Sequence, residues 1–124
     1  MKEKQNKSRE VVISAGSNLA ERELNLLSAV EILSRAAGVS LERVSSLYET
    51  EPVGEGYTGT FINLAVLLSS DIPPERFLQL CRDTERVLGA EVHSRGKDRS
   101  VDIDIILYGS MVIRTTQLIL PHPR

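Results

Sequence analysis

The sequence predicts an α+β fold in which helices cover one face of an antiparallel sheet. Two segments repeat apolar residues at helical spacing, and short runs rich in Val and Ile flank them. The order of these segments is strand, helix, strand, strand, helix, strand, which fits one sheet layer and one helix layer. A chain of 124 residues has the length of one domain. We predict a single domain over residues 11–124 after a disordered polar tail at residues 1–10.

The first strand leads directly into the first helix. Residues 11–15 (VVISA) form a short apolar run that ends at Gly16. Ser17 and Asn18 follow, and both are residue types that favour the N-cap of a helix. Apolar residues then recur at helical spacing over residues 19–37. We therefore predict a strand that turns into a helix at the sequence GSN.

Two further strands enclose a long loop. Residues 41–50 alternate in a pattern that predicts a strand. Residues 51–60 (EPVGEGYTGT) contain three glycines and a proline, which predict a loop of unusual length for a hairpin. Residues 61–68 (FINLAVLL) are apolar apart from Asn63 and predict the clearest strand in the chain.

The second helix begins at a pair of prolines, Pro73 and Pro74, and ends at Gly89. Its apolar stripe consists of Phe77, Cys81, Thr84 and Leu88. The chain continues with a loop at residues 90–100, the strand sequence RSVDIDIILY at residues 99–108, and weaker apolar segments at residues 111–113 and 118–120. The four main strands and two helices follow the order βαββαβ, which is the ferredoxin-like arrangement.

Composition and charge exclude several functional classes. The formal net charge is −2, so we expect no nucleic-acid partner and no general affinity for acidic membranes. No apolar run approaches the roughly 18 residues that a membrane span needs. The single cysteine, Cys81, excludes an internal disulfide framework, and its place on the apolar stripe predicts a packing role. We expect a cytoplasmic protein and favour a monomer.

Two aspartates, Asp102 and Asp104, interrupt a strand that is otherwise rich in Val and Ile. They lie two positions apart, so both carboxylates leave the same face of the strand. A solvated sheet face would explain one such residue. Two adjacent carboxylates repel each other unless a cation lies between them, and Mg²⁺ is a hard cation that prefers oxygen ligands. The pair therefore predicts a magnesium site.

Two other polar features have both a structural and a functional interpretation. Arg95, Lys97 and Arg99 precede the aspartates, and they form either an ordinary solvated loop or a clamp for phosphates. Asn63 shares a strand face with Phe61. Its amide either bonds a neighbouring loop or reads the edge of a heterocycle, beside which Phe61 would offer a stacking face.

Five segments carry a resemblance to a known family. The segments AGSNLAERELNL, SSLYETEPVG, FINLAV, DRSVDIDIILYG and LPHPR occur in this order. Over residues 11–124 the chain resembles hydroxymethyldihydropterin pyrophosphokinase, an enzyme of folate biosynthesis. The resemblance implies a 2-amino-4-hydroxy-6-hydroxymethyldihydropteridine diphosphokinase with ATP and a reduced pterin as its partners. Such an enzyme transfers diphosphate from ATP to the hydroxymethyl group of 6-hydroxymethyl-7,8-dihydropterin and releases AMP.

The resemblance also implies roles for individual residues. Asp102 and Asp104 would bind two Mg²⁺ ions, the expected cofactor, and Arg99 would complete the catalytic set by neutralising charge on the transferring group. We expect Arg82 and Glu85 on the outward side of the second helix. The implied ATP-binding residues are Arg82, Glu85, Arg95, Lys97, Arg99, Ile105, Leu118 and His122. The implied pterin-binding residues are Gly16, Thr50, Pro52, Val53, Phe61 and Asn63.

The chain departs from the family pattern at three places. Family members commonly have an aromatic residue and then Gly-Pro-Arg before the aspartate strand, where this chain has RGKDR at residues 95–99. Gln117 stands where a basic residue is usual. The family normally continues for some tens of residues beyond LPHPR and supplies a further arginine and an aromatic residue there, whereas this sequence ends at Arg124.

Other classes of function fit part of the pattern. A two-metal nucleotidyl transferase on the same fold would also use the two aspartates, but it leaves Asn63 and Phe61 without a role. An RNA-binding module on this fold would have exposed aromatic residues and a basic surface, and this chain has only three Tyr and two Phe. A non-enzymatic regulatory module for a small ligand and a catalytically inactive homologue that still binds ATP or pterin both stay open.

Overall fold

The computed structural model describes residues 8–19, 21–52, 54, 56, 59–89 and 100–123. The helices in these residues are α1 (Arg22–Ser34) and α2 (Pro74–Gly89). The strands are β1 (Arg9–Ser17), β2 (Val39–Val44), β3 (Tyr48–Thr50), β4 (Phe61–Ser70), β5 (Asp102–Tyr108), β6 (Ile113–Arg114) and β7 (Ile119–Leu120). Within this described part of the chain, neither helix is long and apolar enough to span a membrane.

The first five strands form one antiparallel sheet. Their spatial order is β2-β4-β1-β5, and the short strand β3 also pairs with β4. The register of the two central strands runs from Arg9 opposite Ser70 to Ser17 opposite Ile62. Strands β6 and β7 form a separate hairpin. This order and the two helices confirm the predicted α+β, ferredoxin-like fold.

Both helices pack against the sheet, and they also contact each other. In β1 the buried residues Val11, Ile13 and Ala15 alternate with residues that face outward. The helices bury Leu26, Ala29, Val30 and Leu33 from α1 and Phe77, Cys81 and Thr84 from α2. The predicted packing role of Cys81 is confirmed, because its side chain is fully buried in this layer. The other face of the sheet is left for the site described below.

The junction between β1 and α1 differs from the prediction. β1 stays paired with β4 through Ser17, so α1 begins later and is shorter at both ends than the predicted helix over residues 19–37. Glu21 occupies the N-cap position and makes no side-chain cap hydrogen bond to a described residue. The predicted N-cap role of Ser17 and Asn18 is therefore wrong. The buried Ser17 hydroxyl instead accepts a hydrogen bond from Asn25 Nδ2 at 3.3 Å.

The predicted strand at residues 41–50 is interrupted, and β2 and β3 lie on either side of residues 45–47. Ser45 explains the interruption. Its backbone N–H donates to Ala65 O at 2.9 Å, and its hydroxyl accepts from the Ala65 N–H at 2.9 Å and donates to Ser46 O at 2.8 Å. A side-chain oxygen thus takes the place of a backbone carbonyl in the ladder with β4.

The central strands are also longer than predicted. β1 begins at Arg9, inside the predicted tail, and pairs there with Ser70, which lies past the predicted end of β4 at residue 68. Residues 1–7 of the predicted tail lie outside the described residues. The buried end of β4 is held by Tyr108, whose hydroxyl lies 2.8 Å from Ser70 Oγ and donates to the carbonyl of Ile72.

Candidate active site

One row of residues crosses the outward face of the sheet. In the strand register, Gly16 of β1 lies opposite Asn63 of β4 on one side and opposite Asp102 of β5 on the other. Residues directly opposite each other in a sheet share a face. Because neighbouring strands are about 4.8 Å apart, the backbones at Asn63 and Asp102 are separated by only about 10 Å. The residues predicted for pterin and for magnesium therefore meet on one surface.

Gly16 leaves room for two side chains of β4. A Cβ atom on Gly16 would lie 2.6 Å from Asn63 Oδ1 and 3.2 Å from Phe61 Cδ2. The first distance is too short for a real contact. The amide of Asn63 and the ring of Phe61 therefore lie against the backbone of Gly16, where any larger residue would displace them. The structure thus brings these three predicted pterin-binding residues together.

The amide of Asn63 is oriented by strand β3. Its Nδ2 atom donates to Thr50 Oγ1 at 2.7 Å, with a longer contact of 3.5 Å to Tyr48 O. The structural interpretation predicted a bond to a neighbouring loop, whereas the donor group bonds the side chain of Thr50 in the neighbouring strand β3. The same contact turns Oδ1 towards Gly16. Thr50, another predicted pterin-binding residue, lies opposite Phe61 in the register.

Asp102 and Asp104 lie on the outward face of β5, as predicted. Asp102 is exposed and Asp104 is half-buried, whereas Ile103 between them points into the core. Among the described residues, no group of three or more His, Cys, Asp or Glu side chains could hold a metal ion. The two carboxylates nevertheless fit Mg²⁺, which takes few protein ligands and completes its shell with water and substrate phosphates.

His122 approaches the aspartates from the segment after β7. The register between β1 and β5 shifts between Val12 and Ile13, which leaves Ile106 as an extra residue in β5. The carbonyl of Ile106 accepts a hydrogen bond from the His122 N–H at 2.9 Å. His122 Nε2 then lies 3.9 Å from Asp104 Oδ1. The irregularity in β5 therefore holds His122 beside the predicted magnesium site.

Arg82 and Glu85 face the outer edge of β5 rather than the outward side of α2 that we expected. Glu85 Oε2 accepts from the backbone N–H of Ile103 at 2.7 Å, and Arg82 Nη1 donates to Ile103 O at 3.3 Å. The two side chains also form an ion pair, with 2.6 Å between Arg82 Nη1 and Glu85 Oε1. In the sheet formed by the described residues, β5 is an edge strand, and these two side chains satisfy backbone groups along its outer side.

A cavity of about 230 Å³ lies beside Asp104. Its lining includes four of the predicted ATP-binding residues, which are Arg82, Ile105, Leu118 and His122. Ile105 and Leu118 are buried and supply apolar wall, while Arg82 and His122 supply polar groups. A second cavity of about 520 Å³ shares Arg82 and Leu118 with the first. The structure thus assembles these four predicted residues around the cavity beside Asp104.

The lining of the cavity of about 230 Å³ also includes four residues that we did not predict. They are Leu78, Thr116, Ile119 and Pro123. Leu78 precedes Arg82 by one helical turn, so the helical spacing from Arg82 could have identified it. Gln117, which replaces a residue that is usually basic in the resembled family, lines both cavities. No sequence pattern marks Thr116 or Ile119.

Comparison with known proteins identifies the family. The family described as 7,8-dihydro-6-hydroxymethylpterin-pyrophosphokinase matches residues 12–124. The chain belongs to this family. A 2-amino-4-hydroxy-6-hydroxymethyldihydropteridine pyrophosphokinase of Bacillus subtilis is 41% identical over 112 residues, which cover 90% of this chain and 67% of the relative. A protein of the same name from Porphyromonas gingivalis is 38% identical over 118 residues, which cover 92% of this chain and 80% of the relative.

The relatives of this chain also include larger proteins. The mitochondrial folate synthesis bifunctional protein of Arabidopsis thaliana is 37% identical over 122 residues, which cover 98% of this chain but 22% of that protein. The chain thus corresponds to about a fifth of this relative. Together the comparisons confirm the predicted family and the predicted enzyme class, a pyrophosphokinase of folate biosynthesis.

Four of the predicted ATP- and pterin-binding residues are outside the part of the chain that the structure describes. They are Val53, Arg95, Lys97 and Arg99. Their roles stay predictions. Pro52 is described and half-buried, two positions beyond Thr50, and its role also stays a prediction.

Proposed function

We propose that this chain transfers diphosphate from ATP to the hydroxymethyl group of 6-hydroxymethyl-7,8-dihydropterin and releases AMP. One observation carries the proposal: in a chain of the pyrophosphokinase family, Asn63, Gly16 and Asp102 are neighbours in one row of the sheet. A pterin held at Asn63 would present its hydroxymethyl group along this row towards the aspartates. Relatives named for this activity support the same conclusion.

The proposed reaction is a nucleophilic displacement at phosphorus. The hydroxymethyl oxygen forms a bond to the β-phosphorus of ATP, and the bond from that phosphorus to the oxygen bridging the α-phosphorus breaks. AMP leaves with the bridging oxygen, and the hydroxyl proton passes to solvent. Transfers of this kind depend mainly on positioning and on electrostatic stabilisation. We therefore assign no strong general base to the site.

Asp102 and Asp104 are the residues that would hold magnesium in this proposal. Their carboxylates leave one strand face two residues apart, a spacing that suits a shared divalent cation. Two Mg²⁺ ions would neutralise charge on the ATP phosphates when they are bound. Because His122 Nε2 lies 3.9 Å from Asp104 Oδ1, a phosphate beside Asp104 would also be within reach of His122.

We assign the nucleotide base to the cavity beside Asp104. Leu78, Ile105 and Leu118 supply apolar wall, which suits a flat heterocycle. The volume of about 230 Å³ is below the roughly 300 Å³ at which sites for whole ligands begin. It therefore fits the base, with the ribose and phosphates extending towards Asp104. Arg95, Lys97 and Arg99 are predicted to contact those phosphates.

We assign the pterin to the other end of the row. Asn63 has an amide that can both donate to and accept from a heterocycle edge, and the hydroxyl of Thr50 orients this amide through the 2.7 Å contact. Phe61 offers an aromatic face beside it. Gly16, Pro52 and Val53 would complete this half of the site with backbone contacts and apolar wall.

The decisive experiment is incubation of the chain with ATP, Mg²⁺ and 6-hydroxymethyl-7,8-dihydropterin, followed by measurement of AMP. We expect AMP to form in proportion to pterin diphosphate, and only when pterin and Mg²⁺ are both present. A nucleotidyl transferase would release inorganic diphosphate instead. A homologue that only binds its ligands would release neither product, and either of these outcomes would overturn the proposal.

A further inference from the structure

Three polar side chains meet where the long loop leaves β3 and enters β4. Arg22 Nη1 lies 3.0 Å from Thr60 O, 3.0 Å from Thr60 Oγ1 and 3.5 Å from Glu49 Oε2. The Thr60 hydroxyl also donates to Glu49 Oε2 at 2.6 Å. Helix α1, the end of β3 and the start of β4 are therefore tied together by one cluster, which we call the Arg22–Glu49–Thr60 cluster.

This cluster lies on the opposite side of the sheet from the residues assigned to pterin. Glu49 lies opposite Ile62 in the register, whereas the next pair along is Thr50 opposite Phe61. Successive strand residues point to opposite faces. Glu49 and Ile62 thus face α1, and Thr50 and Phe61 face outward with Asn63. The cluster can act on the pterin residues only through the backbone.

Its contribution to overall stability is small. The side chains of Arg22 and Glu49 are 31% and 60% exposed, and ion pairs between exposed groups contribute little to folding. The hydrogen bonds are nevertheless specific, because they fix Thr60 by both its carbonyl and its hydroxyl. Thr60 immediately precedes Phe61, and Glu49 immediately precedes Thr50. The cluster therefore sets the spacing of the two strand ends that carry these residues.

We propose that the Arg22–Glu49–Thr60 cluster positions the pterin half of the site, so that Arg22, Glu49 and Thr60 determine pterin affinity without touching the pterin. This inference rests on the proposed function. The inference predicts different effects on the binding of the two substrates, because no residue of the cluster lines the cavity assigned to the nucleotide base. Loss of the cluster should weaken pterin binding and leave ATP binding unchanged.

The test compares Arg22→Ala and Thr60→Val with the wild-type chain. Pterin binding is measured directly by calorimetry in the presence of Mg²⁺ and α,β-methylene-ATP, an analogue whose link between the α- and β-phosphorus cannot be cleaved. Steady-state kinetics with ATP gives the KM values for both substrates. We expect pterin Kd and KM to rise roughly fivefold, the factor for loss of one ordinary hydrogen bond. The Kd for the ATP analogue should change by less than about twofold. Arg22→Lys should recover part of the loss, because a single nitrogen makes all three contacts.

A matched control is available at the C-terminal end of helix α1, where Arg35 is the C-cap residue. Arg35 forms an exposed ion pair with Glu31 at 2.9 Å, so Arg35→Ala removes a comparable pair that is remote from the site. If Arg22→Ala and Arg35→Ala leave pterin binding equally unchanged, the inference is wrong while the proposed function stands. Equal losses of affinity for pterin and for the ATP analogue would also overturn the inference, since they indicate general destabilisation. A wild-type chain that binds no pterin would overturn the proposed function and this inference together.

Discussion

The carboxylate of Glu85 in α2 accepts a hydrogen bond from the backbone N–H of Ile103 in β5, with 2.7 Å between Oε2 and N. Ile103 lies between the two aspartates of the predicted magnesium site. A strand at the edge of a sheet has backbone groups without a partner strand, so this contact holds the edge in place. Glu85 thus links the helix layer to the segment that presents both carboxylates.

Replacing Glu85 by alanine should destabilise the fold and weaken nucleotide binding. The variant leaves the Ile103 N–H without its partner, and the loss of such a partner costs about 1–3 kcal/mol. Because the Glu85 side chain is 20% exposed, water can partly replace it, and we expect about 1 kcal/mol. Urea unfolding measures the free energy, and calorimetry measures the affinity for ATP with Mg²⁺.

Asp83 on the same helix provides the control for Glu85. It pairs with Arg86 at 2.8 Å in a position where both side chains are about half exposed or more. We expect Asp83→Ala to cost less than about 0.5 kcal/mol and to leave ATP affinity unchanged. Equal unfolding free energies for the two variants would contradict the role of Glu85 as an edge contact.

Replacing Asp102 or Asp104 by asparagine should abolish the dependence of ATP binding on magnesium. Asparagine keeps the size of the side chain but removes the charge that attracts a hard cation. We expect at least a tenfold loss, roughly the smallest effect seen when groups supporting a metal site are removed. Calorimetric titration with ATP, with and without Mg²⁺, measures this loss, and circular dichroism checks that the fold survives. Unchanged affinity in both variants would refute the magnesium assignment.

The fold was predictable where apolar spacing alone decides the structure. The alternation around Asp102 and Asp104 correctly indicates which residues of β5 face outward, and the stripe through Phe77 and Cys81 correctly identifies the buried side of α2. The break after β2 was not predictable in this way. It depends on the hydroxyl of Ser45 entering the ladder of β4, a tertiary contact that leaves the alternating pattern of the sequence intact.

The sequence predicts which residues belong to the candidate site better than it predicts the contacts between them. Residue type and local spacing single out Asn63 and the two aspartates, but only the register of three strands shows that Gly16 lies between them. The contacts of Glu85 depend on how α2 docks against β5, and helical spacing carries no information about that partner. The helical spacing from Arg82 indicates Leu78, but its place in the wall of the cavity beside Asp104 depends on how α2 packs against the residues after β5.

Cys81 should be unreactive in the folded protein. Burial raises the pKa of its thiol to about 12, and only the thiolate reacts readily with alkylating agents. At about pH 8, well below the folded pKa, the thiol is neutral. We expect iodoacetamide to modify the chain only after denaturation in guanidinium, as measured by mass spectrometry. Rapid modification of the native protein would contradict the packing role.

Gly16→Ala should impair pterin binding while preserving the fold. The added Cβ would lie 2.6 Å from Asn63 Oδ1, which is the end of a side chain that can rotate away without moving the backbone. We therefore expect a stability change below about 1 kcal/mol but roughly tenfold weaker pterin binding, since the amide leaves its position. Gly59→Ala is the control, because no described atom lies within 4 Å of a Cβ at that position.

A double-mutant cycle tests whether Gly16 acts through Asn63. Asn63→Ala alone should weaken pterin binding by about 1–3 kcal/mol, the usual cost of an unpaired polar partner. Once the amide is absent, the Cβ of Gly16→Ala has much less to displace, so the second substitution should add little. Calorimetry on the two single variants and the double variant gives the coupling energy. Fully additive losses would show that Gly16 affects pterin binding by a route independent of Asn63.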